Sequence, residues 1–353
     1  MWGAKVPQPA MFCRQVTPLP VCLKWGHTKP IQGGKPPQWR NALRNNGRTA
    51  PLPRTEHPRS RAMELNTEIP TAPPRDAATV VMLRDAAQGL EVFLVQRHGL
   101  SDVMGGAHVF PGGKLDAADT HLDAQTHLDQ APALLHAALG EPTTDVPTAT
   151  GLYVAALREA FEESHVLFAQ GAPGAPSVHP ALQCGALPFN QMLAERALRL
   201  QTRHILPWSR WVTPIMPSIS ARRFDTRFFV AAVPADQQAR HDGHETTASV
   251  WLRPRAALEQ YWSGDMELAP PQIMSLAHLA RHATVHSVLQ AARHQSPPYI
   301  LPESFTEGGE RTLCYPGDPR HSVPTRALPG PTRVTWRNRR FEPDGGFAAW
   351  FTT

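Results

Sequence analysis

The sequence predicts an α/β fold, a mixed sheet flanked by helices. Three observations lead there: two β-rich runs separated by a polar turn, a long stretch with apolar residues every three to four positions, and further strand-like and helix-like segments beyond it. Ala78–Leu83 and Glu91–Gln96 are rich in β-branched and large apolar residues, and the polar Asp85–Gly89 stretch between them predicts a hairpin. Gly105–Phe110 predicts a short strand entering the turn Pro111-Gly112-Gly113. Those two glycines could adopt backbone angles closed to other residues and leave room for a phosphate. Leu152–Ser164 predicts a helix whose buried stripe is Val154, Leu157 and Phe161.

The segment 120–150 has mixed character. Ala124–Ala138 predicts a helix with Leu128, Leu134 and Leu135 as packing residues, and the Pro/Thr-rich Gly140–Thr150 predicts a loop. Such a segment could wall a substrate pocket or be a tolerated surface insertion, and the two readings carry equal weight. Gly171–Pro180 predicts a loop, and Pro188–Gln201 a helix with Met192, Leu193, Ala197 and Leu200 on its apolar side. Strands follow around Trp211–Thr213, Thr226–Val233 and Ser249–Leu252, then helices over Pro254–Trp262 and Pro271–Arg293. One domain over 75–296 accounts for these elements. The Gly- and Pro-rich segment 297–353 predicts an irregular C-terminal extension with a short strand at Arg333–Arg337.

Charge is unevenly placed along the chain. Residues 1–62 hold eleven Lys/Arg, one acid (Glu56) and ten prolines, so the net charge of +5 arises there and the remainder is mildly acidic. A stretch without a sustained apolar period cannot offset its ordering entropy, so it is predicted to be disordered. It could be a targeting presequence, a nonspecific tether to nucleic acid or anionic lipid, or sequence lying ahead of a true start at Met63; the last is favoured. No apolar run reaches the roughly 18 residues that a membrane-spanning helix needs. Cys13, Cys22, Cys184 and Cys314 form neither a metal-ligand spacing nor a disulfide framework, which predicts a reducing cytoplasm. The residues Phe351-Thr352-Thr353 are not a peroxisomal address. Neither a membrane nor a specific nucleic-acid partner is expected, and a homodimer is left open.

The chemistry is carried by Arg158-Glu159-Ala160-Phe161-Glu162-Glu163. On a helical period Glu159, Glu162 and Glu163 fall within an arc of roughly 100°. Three carboxylates held that close repel one another unless a cation sits among them, and hard oxygen donors suit Mg²⁺ or Mn²⁺. An Arg beside a Glu pair is, taken alone, an ordinary solvated helix face. Upstream, however, Gly113 is followed after five residues by Asp119.

Together these residues resemble the Nudix box: a glycine, five residues, an acid, then Arg-Glu-x-x-Glu-Glu. This chain departs from the pattern in three ways. Asp119 replaces the usual Glu, residues 120–157 form a 38-residue spacer where the family has a short one, and His165 stands where a Gly is usual. That position resembles the left-handed close of a helix. A long insert inside the box is similar to the branch of the mammalian peroxisomal acyl-coenzyme A diphosphatase and its bacterial relatives. Further similarity lies in Phe110-Pro-Gly-Gly113, Leu206–Pro214, Arg222–Phe229 and Leu268–Gln272.

The resemblance implies an α/β/α sandwich and a metal-dependent pyrophosphatase acting on a nucleoside-diphosphate-linked substrate, with coenzyme A or acyl-CoA favoured. It also implies roles for particular residues. Glu162 and Glu163 would be primary metal ligands, Glu159 a further ligand or the base, and Asp119 either part of the metal shell through water or merely the cap of a turn. Arg158 would hold Glu162, and Glu245, from a later loop, would serve as base or extra ligand. Gly112 and Gly113 would lie against the substrate, with Arg97, Arg222 and Arg223 as candidates for its phosphates. Trp208 and Trp211 could stack on an adenine or pack in the core. NADH, ADP-ribose, a dinucleoside polyphosphate or a damaged nucleoside triphosphate are alternative substrates, and a noncatalytic nucleotide-sensing module is the competing class.

Overall fold

The computed structural model describes residues 72–101, 104–171, 187–215 and 222–352. The expectations of a disordered tail over 1–62 and a start at Met63 lie outside them, as does most of the loop expected over Gly171–Pro180.

The hairpin forms from β1 (Arg75–Ala86) and β2 (Gly89–Arg97), with Ala86 opposite Gly89 across a two-residue turn. Gly89 has φ +109°, which a side chain would resist, so glycine is what lets the turn close. Beyond it come β3 (His108–Val109) and β4 (Gly112–Lys114). Four helices follow: α1 (Ala117–Thr120), α2 (Ala124–His127), α3 (Pro132–Leu139) and the long α4 (Val146–Ser164). After β5 (Ala169–Gln170), α5 (Phe189–Glu195) and β6 (Arg199–Leu200), the sheet is completed by β7 (Ile205–Val212), β8 (Phe224–Ala232) and β9 (Thr246–Leu252). Helices α6 (Pro254–Ser263), α7 (Pro270–Leu279) and α8 (Val285–His294) precede β10 (Tyr299–Ile300).

The main sheet runs β10-β7-β8-β1-β2-β3, with β4 also on β1 and β9 also on β2. It is mixed, because β1 lies parallel to β8 and β10 parallel to β7 while the other pairs are antiparallel. Alternation along β1 divides the core. Ala78, Val80 and Met82 face the Val154/Leu157/Phe161 stripe of α4, and Val81 and Leu83 face α6, α7 and α8. Each fully buried residue of that stripe contributes roughly 1.5–3 kcal/mol. Helices on both faces of a mixed sheet make the α/β/α sandwich.

Several boundaries differ from expectation. Helix α4 begins at Val146 rather than Leu152, because Asp145 accepts the Thr148 N–H at 2.8 Å and Pro147 is tolerated in a first turn. The helix expected over Ala124–Ala138 is two short ones. Leu128 leaves the helical path to bridge Leu200, and Leu134 is exposed while Leu128 and Leu135 are buried. The helix expected to reach Gln201 stops at Glu195, with Ala197 turned outward at φ +49°. Pro271–Arg293 is also divided, because Thr284 caps a new helix by accepting the Ser287 N–H.

The largest correction is the C-terminal extension, which is not irregular. Strands β11 (Glu303–Glu307), β12 (Glu310–Cys314), β13 (Arg333–Arg337) and β14 (Arg340–Glu342) form a four-stranded antiparallel meander. Its inner face (Leu313, Tyr315, Val334, Phe341) joins the core on the α6–α8 side, and Trp350 is buried there too. Among the described residues no helix is long and apolar enough to cross a membrane.

Candidate active site

Residues from two elements, β4 and α4, build the acidic centre. β4 lies on β1 so closely that a Cβ at Gly112 would fall 2.4 Å from Thr79 Oγ1, and one at Gly113 2.4 Å from Glu159 Oε1. Neither glycine has the positive φ expected of a turn. They are needed for close approach, in a strand where the sequence predicts a turn. The gap left by the missing side chains brings α4 within reach, and the Gly112 N–H donates to Glu163 Oε2 at 3.1 Å.

Arg158 organises the remaining carboxylates. Its Nε and Nη2 donate to the two oxygens of Asp119 at 2.9 and 3.0 Å, and Nη2 also donates to the Lys114 carbonyl at 3.2 Å. Its Nη1 donates to Glu159 Oε1 at 2.7 Å and Glu162 Oε2 at 2.9 Å. Burial alone would lower the pKa of this guanidinium, but the Asp119 hydrogen bonds and the charges of Glu159, Asp119 and Glu162 raise it. Asp119, a candidate for the metal shell or for the cap of a turn, is buried, with both oxygens held by Arg158 and one also accepting the Asp116 N–H at 2.9 Å in a capping box. It positions Arg158.

One arginine cannot neutralise this set. Glu159 is pushed up by burial and by Glu162, against the pull of Arg158. Glu163 is pushed well up by burial and by the Glu159 charge, opposed by the Gly112 N–H and Arg97. Glu162 is raised, chiefly by burial. The exposed Glu245, on the loop before β9, adds negative charge to all three. Its main chain is fixed by donating to Asp242 Oδ2 at 3.0 Å and accepting from the His98 N–H at 2.9 Å.

Surplus carboxylates whose burial disfavours their charge suit a hard divalent cation. Among the described residues no three His, Cys, Asp or Glu side chains already converge as a metal cage. The reason is geometric: Arg158 draws Glu159 and Glu162 to itself while β4 holds Glu163. Glu159, Glu162 and Glu163 are hard oxygen donors in excess over the one guanidinium, so the residues present fit such an ion in their chemistry.

The acidic centre opens into a cavity of about 820 Å³. Arg97 lines it, bonded to the neutral Ser101 Oγ at 3.2–3.3 Å, and the exposed Arg222 lines it as well. Arg223 does not, because both its Nε and Nη2 are spent on the Thr213 carbonyl at 3.1 and 3.0 Å. Arg75 and Lys114, absent from the sequence-based candidates, also line it; their positions depend on the pairing of β1 with β4, which no spacing reveals. Trp211 forms part of the wall, whereas Trp208 is buried away from it against His278, ring centres 4.6 Å apart. No residue of 120–150 reaches the cavity. The insert packs behind α4, with Leu135 and Leu139 in that core.

A mixed-sheet α/β/α sandwich, with a helix-borne Arg-Glu-x-x-Glu-Glu face packed on a Gly-Gly strand, defines a Nudix-type protein. The family model described as NUDT19 Nudix domain matches residues 65–279, and the chain belongs to that family. It is 31% identical over 237 residues to the acyl-coenzyme A diphosphatase NUDT19 of Homo sapiens, covering 56% of this chain and 63% of that protein. It is 26% identical over 234 residues to the protein of the same name from Xenopus laevis, covering 56% and 62%. The chain thus spans less than two thirds of the length of these two curated relatives. Among solved structures it is similar to a NUDIX hydrolase from Alicyclobacillus acidocaldarius, with TM-score 0.53 and 27% identity, covering 62% of this chain and 97% of that one.

Proposed function

We propose that this protein hydrolyses the pyrophosphate bond of coenzyme A or an acyl-CoA, giving 3′,5′-ADP and a 4′-phosphopantetheine product. The observation that carries the reading is a single cavity joining the carboxylate-rich centre to an apolar wall that includes Trp211 and Phe228. A substrate with a dense anionic middle and a long neutral arm matches both ends. The names of the curated relatives support the same substrate class.

Glu159, Glu162 and Glu163 would hold Mg²⁺ or Mn²⁺, which supplies charge neutralisation at the pyrophosphate and acidifies water. Arg158, anchored by Asp119, orients Glu159 and Glu162 and opposes the rise in pKa that burial imposes on them. Arg97 and Arg222 grip the phosphates, for which a guanidinium offers paired donors. Glu245 takes the proton of the attacking water; no ion-pair or side-chain hydrogen-bond partner occupies its carboxylate among the described residues. Glu159, by contrast, is already engaged by Arg158. The cysteine pattern supports a cytoplasmic location.

Product analysis tests the reading. The full chain is incubated with CoA, acetyl-CoA, NADH or ADP-ribose and either metal. Release of 3′,5′-ADP from the CoA substrates, abolished by EDTA, is the expected result. Cleavage of NADH or ADP-ribose in preference to CoA would leave the bond chemistry and remove the substrate assignment.

A further inference from the structure

The segment beyond residue 279, outside the matched family region, contributes to the cavity as well as to the core. β10 docks parallel to β7, with Ile300 opposite Trp211, which brings Pro302 to the cavity edge alongside Thr213. The meander then returns through β12, where Leu313 pairs with Ser304 and turns inward to line the same cavity. Behind Leu313, Tyr315 meets Trp211 edge-on at 5.9 Å, and Trp211 lies 6.5 Å from Phe228. Pro302, Leu313, Trp211 and Phe228 are all buried, so this wall is packed and not a loose flap.

The neighbouring wall is also poor in hydrogen-bond donors. The first turn of α7, Pro270 and Pro271, lines the cavity, and neither proline carries an N–H. Gln272, with its side-chain Oε1 buried and without a hydrogen-bond partner among the described residues, is the polar group this turn adds to the wall. The cavity is therefore two-ended, with carboxylates at α4 and hydrocarbon against β12 and α7. A ligand divided in the same way matches both ends.

We propose that Leu313 and Pro302 of the C-terminal meander form a specificity wall that receives the acyl group of the substrate and sets which chain lengths are admitted. This rests on the CoA reading and adds to it the element that discriminates among acyl-CoAs. Selectivity is then a property of the extension, separable from bond cleavage on α4.

The test compares CoA, acetyl-CoA, octanoyl-CoA and palmitoyl-CoA with the wild-type full chain, Leu313→Phe and Leu313→Ala. Steady-state rates are measured with metal, and binding by calorimetry in EDTA, with melting temperatures to establish folding. The wild type is expected to bind octanoyl-CoA about tenfold more tightly than CoA, with a more negative heat-capacity change from the added apolar burial. Leu313→Phe should narrow the pocket and raise KM for octanoyl-CoA about tenfold more than KM for CoA, erasing most of that preference. Leu313→Ala should shift the preference toward the longer chain.

Equal wild-type affinity for octanoyl-CoA and CoA overturns the proposal even if both are cleaved, and does so without any variant. An unchanged chain-length ratio in a folded Leu313 variant overturns it as well. If nothing is cleaved but the binding preference exists and Leu313→Phe removes it, the wall stands and the proposed hydrolysis falls.

Discussion

The molecule contains two buried ionic networks, and they are built to different ends. In the first, Glu141 from the insert accepts Arg227 Nε and Nη2 at 3.0 and 2.7 Å and lies 3.0 Å from Arg210 Nη1. Arg210 in turn grips Asp225 with two bonds at 2.8 and 2.6 Å, and Arg227 also contacts Asp76. Two guanidiniums face three carboxylates, one of them half-exposed, so charge is nearly balanced. In the network on α4, one guanidinium serves Asp119, Glu159 and Glu162, with Glu163 and Glu245 adding to the excess. Counting buried salt bridges would rank the two alike. Their charge balance separates them: the first closes a structure, and the second is left open for a cation.

Breaking the second network should cost activity before anything else. Glu163→Gln is expected to lower turnover of the proposed substrate about a thousandfold, a loss in the range attributed to metal-assisted charge stabilisation. The same change removes a buried charge, so the EDTA-treated variant should melt above the EDTA-treated wild type, as calorimetric scans would reveal. Breaking the first network should do the reverse. Arg227→Met takes from buried Glu141 its two-bond partner and leaves it Arg210 alone, and should cost about 3 kcal/mol by urea unfolding, with kcat of the folded fraction unchanged. A large loss of kcat at full occupancy of the folded state would erase the distinction.

Asp119→Asn sharpens the comparison with a smaller effect. It leaves the carboxylates of α4 in place but weakens the anchor of Arg158, and should reduce Mn²⁺ affinity or turnover about 10- to 100-fold. Titrating Mn²⁺ by electron paramagnetic resonance separates this from a direct ligand loss, which would abolish binding.

The smallest effect is on stability against pH. The folded-state pKa values of Glu159 and Glu163 lie above the ordinary carboxylate value of 4.5. As pH rises past that value the unfolded chain releases these protons first. Metal-free stability should therefore be fullest below it and fall as pH climbs through the raised folded-state values. Saturating Mg²⁺ should flatten that slope, since it favours the ionised forms. A metal-free melting temperature rising between pH 5 and 8 would contradict the assignment of these carboxylates as under-neutralised.

Local pattern made part of this legible. The hairpin, the Val154/Leu157/Phe161 stripe and the clustering of Glu159, Glu162 and Glu163 depend on contacts within a turn or two, and spacing reports those directly. The left-handed close of α4 was also readable: His165 adopts φ +63° where the Nudix pattern has Gly. Asp119 was not readable as an anchor, because its partner Arg158 lies 39 positions away and only the packing of α1 on α4 brings them together. Arg222 and Arg223 look alike in sequence, but alternation at the start of β8 sends one to the cavity and the other to the Thr213 carbonyl. Of the meander, the strand at Arg333–Arg337 was readable; the other three strands escaped because they are three to five residues long and set among Gly and Pro, too short for a period of two to register.

Trp350 gives the molecule an order of assembly. Its indole is fully buried on the α6–α8 side of the sheet, and its carbonyl and that of Thr352 accept bonds from Arg281 at 3.4 and 2.7 Å. During synthesis the hairpin, α4 and the acidic centre emerge from the ribosome long before this residue does. Until residue 350 has cleared the exit tunnel, one core has all its parts and the other lacks its plug. A nascent chain would thus expose an oily flank until Trp350 joins it, which is the interval in which a chaperone has something to hold.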